Sequence, residues 1–203
     1  MDTIAPPVAP PATRLAKVAT EVFSPAVVVL ILPLAVAWVA TGHDPAATVL
    51  WGLVVAVFSS VLPMAFIIRG ARAGRWDGHH VRDREHRFLP LLVGLASTAV
   101  GITIQVLADA PRDVLALSLS MFATLVVCIA ITTAWKISLH AAVAGGAVAM
   151  TTLLYGQWAL LLLAPLALVC WSRVVLTDHT AAQVVVGVLV GPLVGGAVFL
   201  LIR

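Results

Sequence analysis

The sequence predicts an all-α, polytopic membrane helix bundle, and three observations predict it. Of its 203 residues, 62% are hydrophobic and only 10% charged, with a mean hydropathy of +1.10. A soluble domain carries roughly a quarter charged residues. The apolar residues form long runs, most of them near the ~20 residues that a helix needs to cross ~30 Å of hydrocarbon. The strands of a membrane barrel would alternate in polarity and be half as long, which excludes that fold. Polar residues gather in short stretches between the runs. The reading is about seven transmembrane helices, with six as the alternative.

Residues 1–21 read as a disordered, Pro-rich tail and an interfacial lead-in, with Pro6, Pro7, Pro10 and Pro11 and no apolar core of a signal peptide. Residues 22–203 read as a single transmembrane domain. Its first run is about Val22 to Ala40, ended by the polar stretch Thr41 to Pro45, and its second about Ala46 to Ile68. The long polar segment Arg69 to Arg87 follows, then runs of about Phe88 to Ala108 and Val114 to Ala134. Lys136 to His140 opens a fifth run that ends near Gly156. The sixth, about Trp158 to Trp171, is short, and the seventh covers about His179 to Ile202. Cys128 and Cys170 fall inside apolar runs and read as small hydrophobes, with no disulfide and no metal cage.

Small residues repeat at helical spacing on the fifth run (Ala141, Gly145, Ala149) and on the seventh (Gly187, Gly191, Gly195). Such faces let membrane helices approach closely. Packed together, they would bring His140 near His179.

Charge gives the orientation. Counting crossings from the N-terminus puts Arg14, Lys17, Arg69, Arg72, Arg75, Arg82, Arg84, Arg87, Lys136 and Arg173 on one side, ten of the twelve Lys and Arg. Arg112 and Arg203 fall on the other. Without Arg84, Arg87, Lys136 and Arg173, which belong to the candidate site, the ratio is still six to two. The basic side is therefore expected to be cytoplasmic, in a cell inner membrane. Three polar stretches (Arg82 to Arg87, Lys136 to His140, Trp171 to Gln183) share that side only if the short sixth run spans the bilayer.

The basic side concentrates Asp83, Arg84, Arg87, Lys136, Ser138, His140, Ser172, Arg173, Asp178, His179 and Gln183. Arginine forks and a lysine suit phosphate oxygens. Two histidines suit phosphoryl transfer, one attacking phosphorus and the other protonating the departing oxygen. Asp83 and Asp178 are the only nearby acids with a claim to the site, too few for a Mg²⁺ site, so neither metal nor cofactor is expected. Lys136 could equally snorkel to the headgroups, Arg84 and Arg87 could bind anionic lipid, and Asp83 could pair with Arg87 one turn away.

Ser172-Arg173, five residues and His179 resemble the third signature of the phosphatidic acid phosphatase type 2 superfamily, Ser-Arg-x5-His-x3-Asp. Ser138-Leu139-His140 resembles a reduced form of its second, Pro-Ser-Gly-His, and Arg82 to Pro90 loosely resembles its first, Lys-x6-Arg-Pro. The resemblance covers about residues 80 to 190. It implies His179 as a nucleophile forming a phosphohistidine, His140 as general acid, and Arg87 (or Arg84), Lys136, Ser138 and Arg173 as phosphate ligands, with Ser172 beside them. Gln183 stands where the family has Asp. Its oxygen could orient the His179 ring without bringing charge, and the same amide-for-carboxylate change in a serine-protease triad costs about 10⁴ in rate. Asp178 is adjacent in sequence but would point ~100° away on a helix.

The expected activity is metal-independent hydrolysis of a phosphate or diphosphate monoester of an isoprenoid or glycerolipid. The expected partners are that lipid and the membrane, not nucleic acid. A non-catalytic lipid-phosphate binder or translocator is the alternative, and Gln183 is the residue that favours it.

Overall fold

The computed structural model describes residues 10–76 and 88–203, and among these it is helical throughout, without strands. Eight helices follow in order: α1 (Pro11–Val22), α2 (Pro25–Ala40), α3 (Pro45–Arg72), α4 (Phe88–Leu107), α5 (Arg112–Ala134), α6 (Leu139–Tyr155), α7 (Leu163–Val175) and α8 (Ala181–Ile202). Five helical stretches are long and apolar enough to cross a membrane, or six if α1 and α2 count as one bent span. Their outward faces are hydrocarbon. Leu107 and Leu201 are each 80% exposed, and many other large apolar side chains share the outer surface, as on helices that face lipid.

The sequence explains where the helices begin. Ser24, Asp44 and Ser138 cap α2, α3 and α6 by accepting from Val27 N, Ala47 N and Ala141 N. Pro11, Pro25 and Pro45 occupy first-turn positions, where the missing N–H has no partner to lose. Inside α3 the turn Val57–Val61 is π-type and ends two residues before Pro63. A proline cannot donate to the carbonyl four residues back, and a π-bulge absorbs the missing bond.

Two boundaries differ from the sequence reading. The first apolar run is broken at Phe23 and Ser24, where α1 and α2 meet at 43°. Residues 11–21, assigned above to tail and lead-in, form with Val22 the regular helix α1, packed on α7 through Ala16, Ala19 and Thr20. Leu15, Val18 and Val22 lie exposed on a second face, and Arg14, Lys17 and Glu21 on a third.

The short sixth run has a physical account. Gly156, at φ +67, ends α6, and Gly156–Leu162 continues as a 3-10 helix into α7. α7 then runs back beside α6. Seven residues at ~2.0 Å and thirteen at ~1.5 Å give a length of about 33 Å summed over the two segments.

α6 and α8 make the closest approach in the bundle. A Cβ on Gly191 would lie 2.2 Å from Ala142 O, and one on Gly187 would lie 2.6 Å from Ser138 O. Gly145 meets Val188, and a Cβ on Gly196 would touch Ala149. Gly195 turns instead towards Thr124 and Met150. The main core joins Leu32 and Val36 of α2, Val55 of α3, Leu117 of α5, Met150 of α6 and Phe199 of α8. A smaller one of Cys128, Ile137 and Ala142 lies under the start of α6.

Candidate active site

Four chain segments meet at one end of the bundle: the last turn of α1, the start of α6, the last turn of α7, and the turn leading into α8. The main chain ties two of them directly, since Ser138 N donates to Gln183 O at 3.3 Å. Ser138, His140, Ser172, Arg173, Asp178 and His179 are all buried there, against the usual distribution of such residues.

Arg173 is 2% exposed and is the largest fully buried side chain. Its Nη2 lies 2.8 Å from Asp178 Oδ2, whose side chain is 7% exposed. Its Nη1 donates to Thr20 Oγ1 at 3.4 Å. Ser172 Oγ donates to Val169 O at 2.7 Å and lies 3.0 Å from Thr20 Oγ1. With the Ser172 hydrogen committed to Val169, the Thr20 hydroxyl must donate to Ser172 while accepting from Arg173. Ser172, placed above beside the phosphate ligands, thus locks α7 to α1.

His179 does not sit on a helix. Thr177 takes a left-handed conformation (φ +57), His179 N donates to Arg173 O at 3.2 Å, and α8 starts only at Ala181. Thr180 is the N-cap, and Thr180 with Gln183 forms a capping box. The Gln183 side chain therefore has two tasks. Its Oε1 accepts Thr180 N at 3.2 Å and lies 3.2 Å from His179 Nδ1.

The shared oxygen settles the tautomer. Thr180 N is a donor, so the Gln183 atom facing it must be the carbonyl oxygen, and that oxygen can only accept from His179 Nδ1. The proton of a neutral His179 ring is then on Nδ1 and its lone pair on Nε2, the arrangement a nucleophile or general base requires. Asp178, which the helical reading turned ~100° from His179, holds Arg173.

The remaining candidates fall as follows. Ser138 is fully buried, and its hydroxyl accepts from Ala141 N at 3.4 Å as the cap of α6. His140 is the second residue of α6, 8% exposed, and Lys136 is half-buried in the extended link before it. Asp83, Arg84 and Arg87 lie outside the described residues. Thr20 belongs to the cluster and was absent from the sequence reading. Its signal was the small-residue stripe Ala16, Ala19, Thr20 on what read as lead-in. Among the described residues no three His, Cys, Asp or Glu side chains converge as a metal site would need.

Chemically, the cluster offers a preorganised guanidinium, a histidine of defined tautomer and a second histidine. It also offers the N-termini of α6 and α8, whose dipoles favour an anion. No family model matches the chain, and comparison with curated proteins and with solved structures finds no match.

Proposed function

We propose that this protein is an integral-membrane lipid phosphatase, a divergent relative of the phosphatidic acid phosphatase type 2 superfamily. It would hydrolyse a lipid phosphate or diphosphate monoester without a metal. The observation that carries the reading is the His179–Gln183 contact beside Arg173, in a buried cluster that also takes in Ser138 and His140. His179 Nε2 attacks phosphorus, and the bond to the lipid oxygen breaks with protonation by His140. Water then releases phosphate from the phosphohistidine. Arg173, Lys136 and Ser138 hold the phosphate oxygens, with Arg84 or Arg87 joining them, and the charge that develops is met by fixed cations. Asp178 and Thr20 hold Arg173 in place.

Seven crossings fit this reading, with α6 and α7 counted separately on either side of Gly156 and α1 lying in the interface. The basic end then faces the cytoplasm, in a cell inner membrane. A second reading, a non-catalytic lipid-phosphate binder or translocator, is favoured by one observation. Gln183 supplies an uncharged acceptor where a carboxylate would stabilise the charged ring, and its side chain is already engaged at the helix cap.

The test is phosphate release by purified protein in detergent with EDTA, on isoprenyl phosphates, isoprenyl diphosphates and phosphatidate. Release that survives EDTA and disappears in His179→Ala supports the phosphatase. No release from any of them, with saturable binding of the same lipids, supports the binder.

A further inference from the structure

The site is buried among helix ends, and what lies below it in the bundle bears on the substrate. A cleft of about 380 Å³ separates α2, α6 and α7. Ala144, Val148 and Thr151 line it from α6, and Val169, Leu166 and Leu162 from α7 and the turn before it. Helical spacing puts the two key side chains over the same faces. His140 is one turn above Ala144, and Arg173 one turn above Val169. Val22 and Phe23, at the α1–α2 bend, bound the cleft at the end that carries the cluster.

The walls are apolar. Thr151 has the only polar side chain among the lining residues, and its hydroxyl donates to Ala147 O at 2.7 Å. Tyr155, one turn beyond Thr151, donates its hydroxyl to Ala35 O at 2.6 Å, tying α6 to α2 at the far end. From His140 to Tyr155 the rise along α6 is about 22 Å. Ile31, a lining residue on α2, is 62% exposed, so the cleft also opens sideways to the bilayer.

We infer that this cleft receives a single apolar chain, so that the substrate is a single-chain lipid phosphate and not a two-chain glycerolipid. The inference rests on the phosphatase reading for its head group. A 150 Å³ apolar cavity admits one benzene, so 380 Å³ admits roughly fifteen carbons. That number matches one chain laid along the cleft with its phosphate at Arg173 and His140. A second long acyl chain exceeds it and is left outside the apolar walls, at the lateral opening beside Ile31.

The experiment compares kcat/KM for geranyl, farnesyl and geranylgeranyl phosphates, propyl phosphate and a long-chain diacyl phosphatidate. It runs on wild type, Ala144→Phe, Thr151→Phe and Leu193→Phe. Leu193 is 69% exposed on α8, away from the cleft, and serves as the control. In parallel, farnesol, which carries no phosphate, competes for a fluorescent single-chain alcohol bound to the same proteins.

Wild type should prefer farnesyl phosphate over phosphatidate by at least tenfold. Thr151→Phe, at the deep end, should move the preference to the geranyl chain. Ala144→Phe should lower the farnesyl-to-propyl ratio tenfold, and Leu193→Phe should keep the wild-type ratio. Equal use of phosphatidate, or an unchanged length preference in Thr151→Phe, overturns the single-chain cleft while leaving the phosphatase standing. Farnesol competition that weakens tenfold in Ala144→Phe, with no phosphate released from any substrate, keeps the cleft and overturns the phosphatase.

Discussion

At the α1–α6–α8 end, Arg173 and Asp178 are 2.8 Å apart with side chains 2% and 7% exposed. At the opposite end, Arg203 and Asp113 are 3.8 Å apart with side chains 31% and 19% exposed. The outer pair has an evident structural task. Arg203 donates to Leu153 O at 2.8 Å and Arg112 bonds Ile202 O, so the charges tie the end of α8 to α5 and α6 where the chain meets headgroups and water. The inner pair also joins elements, α7 to Thr20 of α1 and to the turn before α8, but it does so with two buried charges. Apolar residues could hold α1, α7 and α8 together without the desolvation cost of two buried charges. Buried charges inside a membrane protein are by default the ground for inferring a functional site.

The largest expected effect is at the nucleophile. His179→Ala should lower phosphate release by at least about 10⁴, since removing a nucleophile removes the covalent route. Melting in detergent should shift little, because the α8 cap itself is made by Thr180 and Gln183 and stays in place. A loss of activity matched by a collapse of the melting transition would remove the catalytic assignment.

Next comes the inner pair itself. Arg173→Leu should cost about 3–5 kcal/mol of stability, much of it from removing the buried guanidinium that faces the Asp178 carboxylate. The double variant Arg173→Leu with Asp178→Asn should recover most of that, yet remain inactive. Activity in the double variant would mean that Arg173 is structural only, and the contrast between the two ends would fall.

Gln183 sharpens the comparison from the other direction. An aspartate is one methylene shorter than glutamine and fails to reach Thr180 N, whereas glutamate is the usual alternative in a capping box. Gln183→Glu should therefore keep the α8 cap, place a charge against His179 Nδ1 and raise turnover at least tenfold. Gln183→Asp should lose helix stability and gain less. An unchanged rate in Gln183→Glu would favour the binder.

Parts of this arrangement were legible from the residues. Hydropathy places helices because membrane burial is a property of contiguous sequence, and the glycines at 187 and 191 announce the close approach to α6. Counting crossings puts His140, Arg173 and His179 at one end provided that the short sixth run crosses. After Gly156 that run continues as a 3-10 helix and then as α7 to Val175. α1 was missed because its buried face is two alanines and a threonine, too small to register as hydrophobic, and because prolines precede it. The break after Val22 had a signal in Ser24-Pro25, a cap followed by a first-turn proline. Thr180 and Gln183, three apart, marked the true start of α8 and took His179 off the helix. The Arg173–Asp178 contact depends on the left-handed Thr177, which no pattern of side chains foretold.

The smallest effects separate support from catalysis. Thr20 takes a bond from Arg173 and gives one to Ser172, so Thr20→Val removes a donor and an acceptor of a buried chain at constant volume. About 1–3 kcal/mol should be lost, with kcat falling more than KM rises, because a loosened guanidinium binds the ground state nearly as well as before but no longer meets the developing charge. Thr20→Ser, which keeps the hydroxyl, should restore the wild-type ratio of kcat to KM. Asp113→Asn at the opposite end should cost under about 1 kcal/mol and leave both parameters alone, as for a partly exposed pair. If Thr20→Val and Asp113→Asn proved equally mild in kcat, the α1 lock would be a fastening like the one at Arg203, and α1 would have no part in positioning Arg173.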